Sequence, residues 1–94
     1  MYVSTAYVEQ LPTRFASKVG GSNIHLVKDT DAHGGQAYYF VRVSQWQQRR
    51  FLRDAEAGQP LNLEEYGEVV YSAYGDEPTT EAVDYVAKHY GWAA

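Results

Sequence analysis

The sequence predicts the α+β fold class: a small antiparallel sheet of three to four strands with two helices packed on one face, in the order β-β-β-β-α-β-α. Apolar and polar side chains alternate along several short segments, which is typical of strands with a buried face. Two longer segments carry helix-boundary residues and apolar side chains at helical spacing. Because 94 residues lie within the about 50 to 250 residues typical of one domain, we expect a single domain over residues 1–94.

Four strands are predicted before the first helix. Residues 2–8 are rich in Tyr, Val and Thr and indicate an edge strand, through which a homodimer could form. Residues 14–19 indicate a short second strand. The clearest element is a β-hairpin, in which residues 24–28 and 36–43 flank a loop of turn-forming residues at 29–35.

Two helices and one more strand follow. Ser44 is the expected N-cap of the first helix, with Gln47 completing a capping-box spacing, and Gly58 ends this helix. Residues 61–65 are ambiguous, with one helical turn expected after Asn62. Residues 68–74 alternate as a strand. Pro78 suits the first turn of the last helix, whose buried stripe is expected to include Ala82, Val83 and Val86.

Composition narrows the functional class. The chain has no cysteine, so we expect no disulfide and no thiolate chemistry. The longest apolar run, residues 37–41, is far shorter than the about 20 residues that span a bilayer. The first ten residues have no basic region of the kind found in signal peptides. We therefore expect a cytoplasmic protein that does not enter the membrane.

Charge is distributed unevenly along the chain. Residues 1–53 hold seven basic and three acidic side chains, whereas residues 54–94 hold one basic and nine acidic side chains, and the formal net charge is −4. Such asymmetry indicates an interaction surface. The alternative is that folding brings the two halves together and their charges neutralise each other.

The acidic second half is the first candidate surface, and its tyrosines are candidate anchors. An acidic field attracts a basic partner, including a protein surface that normally binds nucleic acid. The residues expected to carry this surface are Glu64, Glu65, Glu68, Glu81 and Asp84.

The first helix carries the alternative surface, a basic stripe beside a tryptophan. Its residues are Trp46, Arg49, Arg50 and Arg53, which helical spacing places on one side. Phe51, Leu52 and Ala55 are expected to point toward the core. The stripe is a solvated face, a site for an acidic protein, or a site for nucleic acid or a small anionic ligand. Nucleic acid is disfavoured because the net charge of the chain is negative.

Metal binding and catalysis are not predicted. The loop segment with Asp29, Asp31 and His33 resembles the start of a calcium loop, but Phe40 occupies the position of the bidentate Glu. An ordinary turn is therefore favoured over a metal site. The chain has no nucleophile elbow, no glycine-rich phosphate loop and no zinc-protease motif, so we expect neither an enzyme nor a cofactor.

In composition the chain resembles small, acidic, cysteine-free, tyrosine-rich accessory proteins of bacteria and their mobile elements, several of which inhibit a host protein by contact. The sequence thus predicts a non-catalytic protein-binding module, an inhibitor or an adaptor, with a basic protein as its partner.

Overall fold

The computed structural model describes residues 2–3, 6–9, 23–32, 35–58, 60–75 and 77–90. Six strands and two α-helices lie in these ranges. The strands are β1 (Tyr2–Val3), β2 (Ala6–Glu9), β3 (Ile24–Ala32), β4 (Gly35–Val43), β5 (Leu61–Asn62) and β6 (Gly67–Tyr74). The helices are α1 (Gln48–Glu56) and α2 (Thr80–Tyr90), and 3-10 turns cover Gln45–Gln47 and Leu63–Glu65.

Four strands form one antiparallel sheet in the order β2-β3-β4-β6, and β1 pairs with β5 in a separate two-stranded ladder. This arrangement confirms the predicted α+β class. The predicted first strand is divided, because Val3 belongs to the β1–β5 ladder whereas residues 6–9 form the edge strand β2. The strand predicted at residues 14–19 lies outside the described residues.

The predicted hairpin is confirmed as β3 and β4, with longer strands than expected. The two strands pair from Ile24 opposite Arg42 to Asp29 opposite Ala37, and they pair again at Ala32 and Gly35 beyond an irregularity. Residues 29–32 therefore continue β3 instead of forming the loop. Asp29 is buried within this ladder, and the polar character of residues 29–31 alone gave no sign of that pairing.

The two helices pack on opposite faces of the sheet, so the prediction of one face was wrong in this detail. The α2 face buries Ile24, Leu26, Tyr38, Phe40 and Val70 against Ala82, Val83, Val86 and Ala87. The α1 face buries Val27, Val41 and Val43 against Phe51, together with Val3, Leu61, Leu63 and Tyr66. Alternating side chains of β3 and β4 are apolar on both faces, and each face therefore needs its own cover.

The helix boundaries agree with the predicted caps only at Gly58. Ser44 is extended but makes no side-chain cap hydrogen bond, and the 3-10 turn Gln45–Gln47 precedes α1. Gly58 has φ of 75°, as expected for a residue that ends a helix. The last helix begins after Thr79, whose Oγ1 accepts a hydrogen bond of 3.1 Å from the Ala82 amide. Pro78 consequently lies before the cap and outside the first turn.

The segment after Gly58 confirms the one helical turn expected beyond Asn62, which is the 3-10 turn Leu63–Glu65. Neither of the described helices is long and apolar enough to cross a membrane.

Candidate interaction surfaces

Helix α1 is held to the sheet by one buried ring. Phe51 is fully buried, and its ring centroid lies 5.4 Å from those of His25 and Tyr66. Gln48 adds polar contacts at the start of the helix: its Nε2 donates to the Val43 carbonyl at 2.9 Å, and its Oε1 lies 2.6 Å from His25 Nε2. These contacts fix which side of α1 faces the sheet, and the opposite side faces solvent.

The 3-10 turn before α1 and the solvent side of α1 together expose one large aromatic side chain, one leucine and several charges. We call this set the Trp46 stripe: it consists of Trp46 in the turn and of Arg49, Leu52, Arg53 and Glu56 on α1. Trp46 is 89% exposed and Leu52 is 45% exposed. The prediction that Leu52 points to the core was wrong, because Phe51 already occupies the inward direction and the next residue lies about 100° around the helix.

The structure separates Arg50 from the other two predicted arginines. Its guanidinium lies 4.9 Å from the centroid of the Tyr66 ring, and its Nη2 lies 3.4 Å from Glu65 Oε2. Its Nη1 also donates to Gln47 Oε1 at 3.2 Å. Arg50 thus joins α1 to the 3-10 turn at Leu63–Glu65, and Arg49 and Arg53 remain on the stripe.

A second link to α1 comes from the residue that follows this turn: the Tyr66 hydroxyl donates a hydrogen bond of 2.8 Å to Asp54 Oδ2. This bond, with help from Arg53 and Arg50, lowers the pKa of the Asp54 carboxyl. Burial, followed by the bond to Asp54, raises the pKa of Tyr66. The hydroxyl therefore stays protonated and the carboxylate ionised, which keeps this link intact at neutral pH.

The five predicted acidic residues lie on three different elements. Glu64 and Glu65 are in the 3-10 turn beside α1, whereas Glu81 and Asp84 are on α2, which covers the other face of the sheet. Glu68 is on β6 and pairs with Arg42 Nη2 at 2.9 Å. Their proximity in the sequence therefore does not produce one surface patch.

Ion pairs join the basic first half of the chain to its acidic second half. Three such pairs are Lys28–Glu77 at 2.6 Å, Arg42–Glu68 at 2.9 Å and Arg50–Glu65 at 3.4 Å. Folding thus mixes the charges of the two halves, which was the alternative explanation of the uneven distribution. The charge difference between the two halves of the chain therefore does not locate a binding surface. Local groups of exposed side chains on single helices are the better candidates.

Helix α2 presents such a local stripe. We call it the Tyr85 stripe, and it consists of the exposed residues Glu81, Asp84, Tyr85 and Lys88. Tyr85 is 46% exposed, and its ring lies 5.5 Å from that of Tyr71 and 4.5 Å from that of His89. Tyr85 was missed in the sequence, although it lies on the side of the helix opposite Ala82, Val83 and Val86.

A shallow cleft of about 320 Å³ lies near the start of the 3-10 turn before α1. Its lining residues are Asn23, Arg42, Val43, Ser44, Gly67 and Glu68. The one cation and the one carboxylate in this lining form the Arg42–Glu68 pair, so their charges largely cancel. The cleft has neither the enclosure nor the unbalanced charge that would mark it as the main site.

The described residues of the segment that resembles the start of a calcium loop do not form a site. Asp29 is buried in β3, while His33 and the side chain of Asp31 lie outside what the structure describes. Within the described ranges, no group of three His, Asp or Glu side chains could hold a metal ion. Comparison with protein-family models, with curated proteins and with solved structures finds no match to this chain.

Proposed function

We propose that this protein is a protein-binding module, and that the Trp46 stripe binds an acidic segment of its partner. The observation that carries the proposal is the 89% exposure of Trp46. Leaving an indole of this size in water forgoes a large gain from burial. Tryptophan and arginine are also the residue types most enriched among the side chains that dominate binding energy at interfaces.

The surroundings of Trp46 support a protein partner over nucleic acid. Leu52 offers apolar surface, which suits a side chain better than a phosphate, and Glu56 places a negative charge on the same stripe. The net charge of −4 also opposes a polyanion as a whole. A short acidic segment avoids this penalty, because it meets Arg49 and Arg53 locally.

The stripe is also held in place before binding. The Tyr66–Asp54 hydrogen bond, the Arg50–Glu65 pair and the buried Phe51 ring fix α1 against the sheet. A surface on a rigid element loses less conformational entropy on association than a surface on a mobile loop. Less of the free energy gained from contacts with the partner is therefore lost in ordering the stripe.

Replacing Trp46 by Ala should weaken capture of the partner by about 2 kcal/mol or more, roughly thirtyfold in affinity. The measurement is affinity capture from a lysate of the source cell with the immobilised protein, followed by titration of the purified partner. Tyr74→Ala is the matched control, because Tyr74 is also an exposed aromatic residue, at 73% exposure, and on β6 it pairs with Ala37, near the end of β4 opposite the one that leads into α1. Equal binding by the wild type and Trp46→Ala would refute the Trp46 stripe as the binding surface.

A basic partner, as predicted from the acidic second half, is the second proposal, and the Tyr85 stripe supports it best. Here two carboxylates, Glu81 and Asp84, lie beside a half-exposed tyrosine whose ring is tilted against that of Tyr71. An aromatic anchor next to acidic side chains suits a segment rich in Lys or Arg, through charge and cation–π contacts. With stripes on opposite faces of the sheet, one molecule can bridge two partners as an adaptor.

Reversing Glu81 and Asp84 to Lys should abolish capture of a basic partner at low salt, since both attractive charges become repulsive. The matched variant reverses Glu64, Glu65 and Glu68 instead and should retain capture. Loss of binding only in the matched variant would assign the acidic binding site to the 3-10 turn and β6 instead of α2. Unchanged binding in both variants would contradict a basic partner bound by any of the five predicted residues.

A further inference from the structure

We infer that the Trp46 stripe and the Tyr85 stripe fit each other, so that copies of this chain associate head to tail, with α1 of one copy against α2 of the next. The inference rests on the protein-binding function proposed above and names a second copy as an occupant of both stripes. It starts from the order of charges along the two helices.

The charges along the two stripes have opposite signs in the same order and extend over the same length of helix. The charged residues are Arg49, Arg53 and Glu56 on α1 and Glu81, Asp84 and Lys88 on α2. In chain order the first set is positive, positive, negative, and the second is negative, negative, positive. In each set the first and last members are seven positions apart, about 10 Å along the helix, with successive members one turn apart. The two patterns can therefore meet charge for charge.

Only one relative direction of the helices makes these charges complementary. With the helices parallel, Arg49 meets Glu81, Arg53 meets Asp84, and Glu56 meets Lys88. With the helices antiparallel, Arg49 would face Lys88 and Glu56 would face Glu81, which are like charges. The parallel arrangement is therefore selected.

Apolar side chains of the two stripes fall together in the same arrangement. Leu52 flanks the arginines on one side of α1, and Tyr85 flanks the carboxylates on the opposite side of α2. When two parallel helices face each other, these flanks lie on the same side of the interface. Leu52 is 45% exposed and Tyr85 is 46% exposed, so each has surface left to bury. The charges thus set the direction, and this contact supplies apolar burial.

In the free chain Arg53 already makes a contact that competes with this arrangement. Arg53 Nε lies 3.3 Å from Asp54 Oδ1, while the Arg53 side chain is 73% exposed. An exposed pair of this kind is weak, so Arg53 can exchange it for Asp84 of the next copy at little cost.

The symmetry of the contact has a functional consequence. The stripes lie on opposite faces of the sheet, so a row of copies keeps one open stripe at each of its two ends. Such a heterologous contact adds copies in series and is not limited to a closed pair. A partner that occupies the Trp46 stripe would release a copy from this series, and self-association would then regulate access to the site.

The test is a charge exchange between two full-length variants, Arg49→Glu/Arg53→Glu and Glu81→Lys/Asp84→Lys. By sedimentation velocity, the average mass of the wild type should rise with concentration up to about 1 mM and fall at high salt. Each variant alone should associate at least about tenfold more weakly, because its two stripes carry like charges. An equimolar mixture should regain association, because the unchanged Trp46 stripe of the second variant meets the unchanged Tyr85 stripe of the first.

Circular dichroism of each variant establishes that it is folded before it is sedimented. A wild type that stays monomeric across the series would overturn the inference, as would variants that associate like the wild type or a mixture that stays monomeric. These measurements use the pure chain alone. Their failure would therefore leave the capture of a partner through Trp46 standing, and loss of that capture would be seen separately.

Discussion

Replacing Phe51 by Ala is expected to lower the free energy of unfolding by about 3 to 5 kcal/mol, the range for deleting a buried aromatic ring and leaving a cavity. Phe51 is the one fully buried side chain that α1 contributes to its face of the sheet. The rings of His25 and Tyr66 both contact it at 5.4 Å between centroids. The loss is measured as a shift in the midpoint of urea unfolding, with an unchanged slope.

The neighbouring residue provides the control for this prediction. Leu52→Ala removes a side chain of similar apolar character that is 45% exposed, and it should cost less than about 1 kcal/mol. Equal losses from both substitutions would mean that α1 is rotated from the described orientation. In that event Arg49 and Arg53 would not share an exposed stripe with Trp46, and the proposed binding surface would fail with the fold.

Local patterns in the sequence were sufficient for most elements of the fold. Alternation along residues 36–43 identified β4, one of the two inner strands of the sheet, and Gly58 marked the end of α1 because a left-handed residue was needed there. The placement of the helices was not accessible in this way. Both faces of β4 carry apolar side chains, so its pattern is compatible with helices on one face of the sheet or on both. Only tertiary packing decides between these two arrangements.

For the candidate surfaces, too, the sequence predicted local spacing but not tertiary contacts. Helical spacing was enough to place Arg49 and Arg53 together, but the removal of Arg50 from the stripe depends on Tyr66 and Glu65, which are 15 or more residues away in the chain. The acidic residues near position 65 looked like one cluster because they are adjacent in sequence. In the structure Glu68 pairs with Arg42 across the strands, whereas Glu64 and Glu65 lie in the 3-10 turn beside α1.

Replacing Gly67 by Ala is the second substitution with a large expected effect, and its cause is backbone proximity. A Cβ at position 67 would lie 2.0 Å from the Arg42 carbonyl oxygen and 2.9 Å from the Val43 Cα. Because both atoms belong to the backbone of β4, no side-chain rotation can relieve the overlap. The strands must separate where Gly67 opposes Val43, and we expect a loss of about 3 kcal/mol or more in the free energy of unfolding.

Gly58→Ala is the matched control, because it also adds one methyl group to a glycine. At Gly58 the new Cβ has open space around it, and its only penalty comes from φ of 75°. That strain costs about 1 to 2 kcal/mol, so urea unfolding should rank Gly67→Ala as clearly the more damaging change. If the two variants were equally stable, β4 and β6 would have to be farther apart at this end than described. The 3-10 turn that carries Glu65 and anchors Arg50 leads directly into β6, so the orientation of the Trp46 stripe depends on that same close approach.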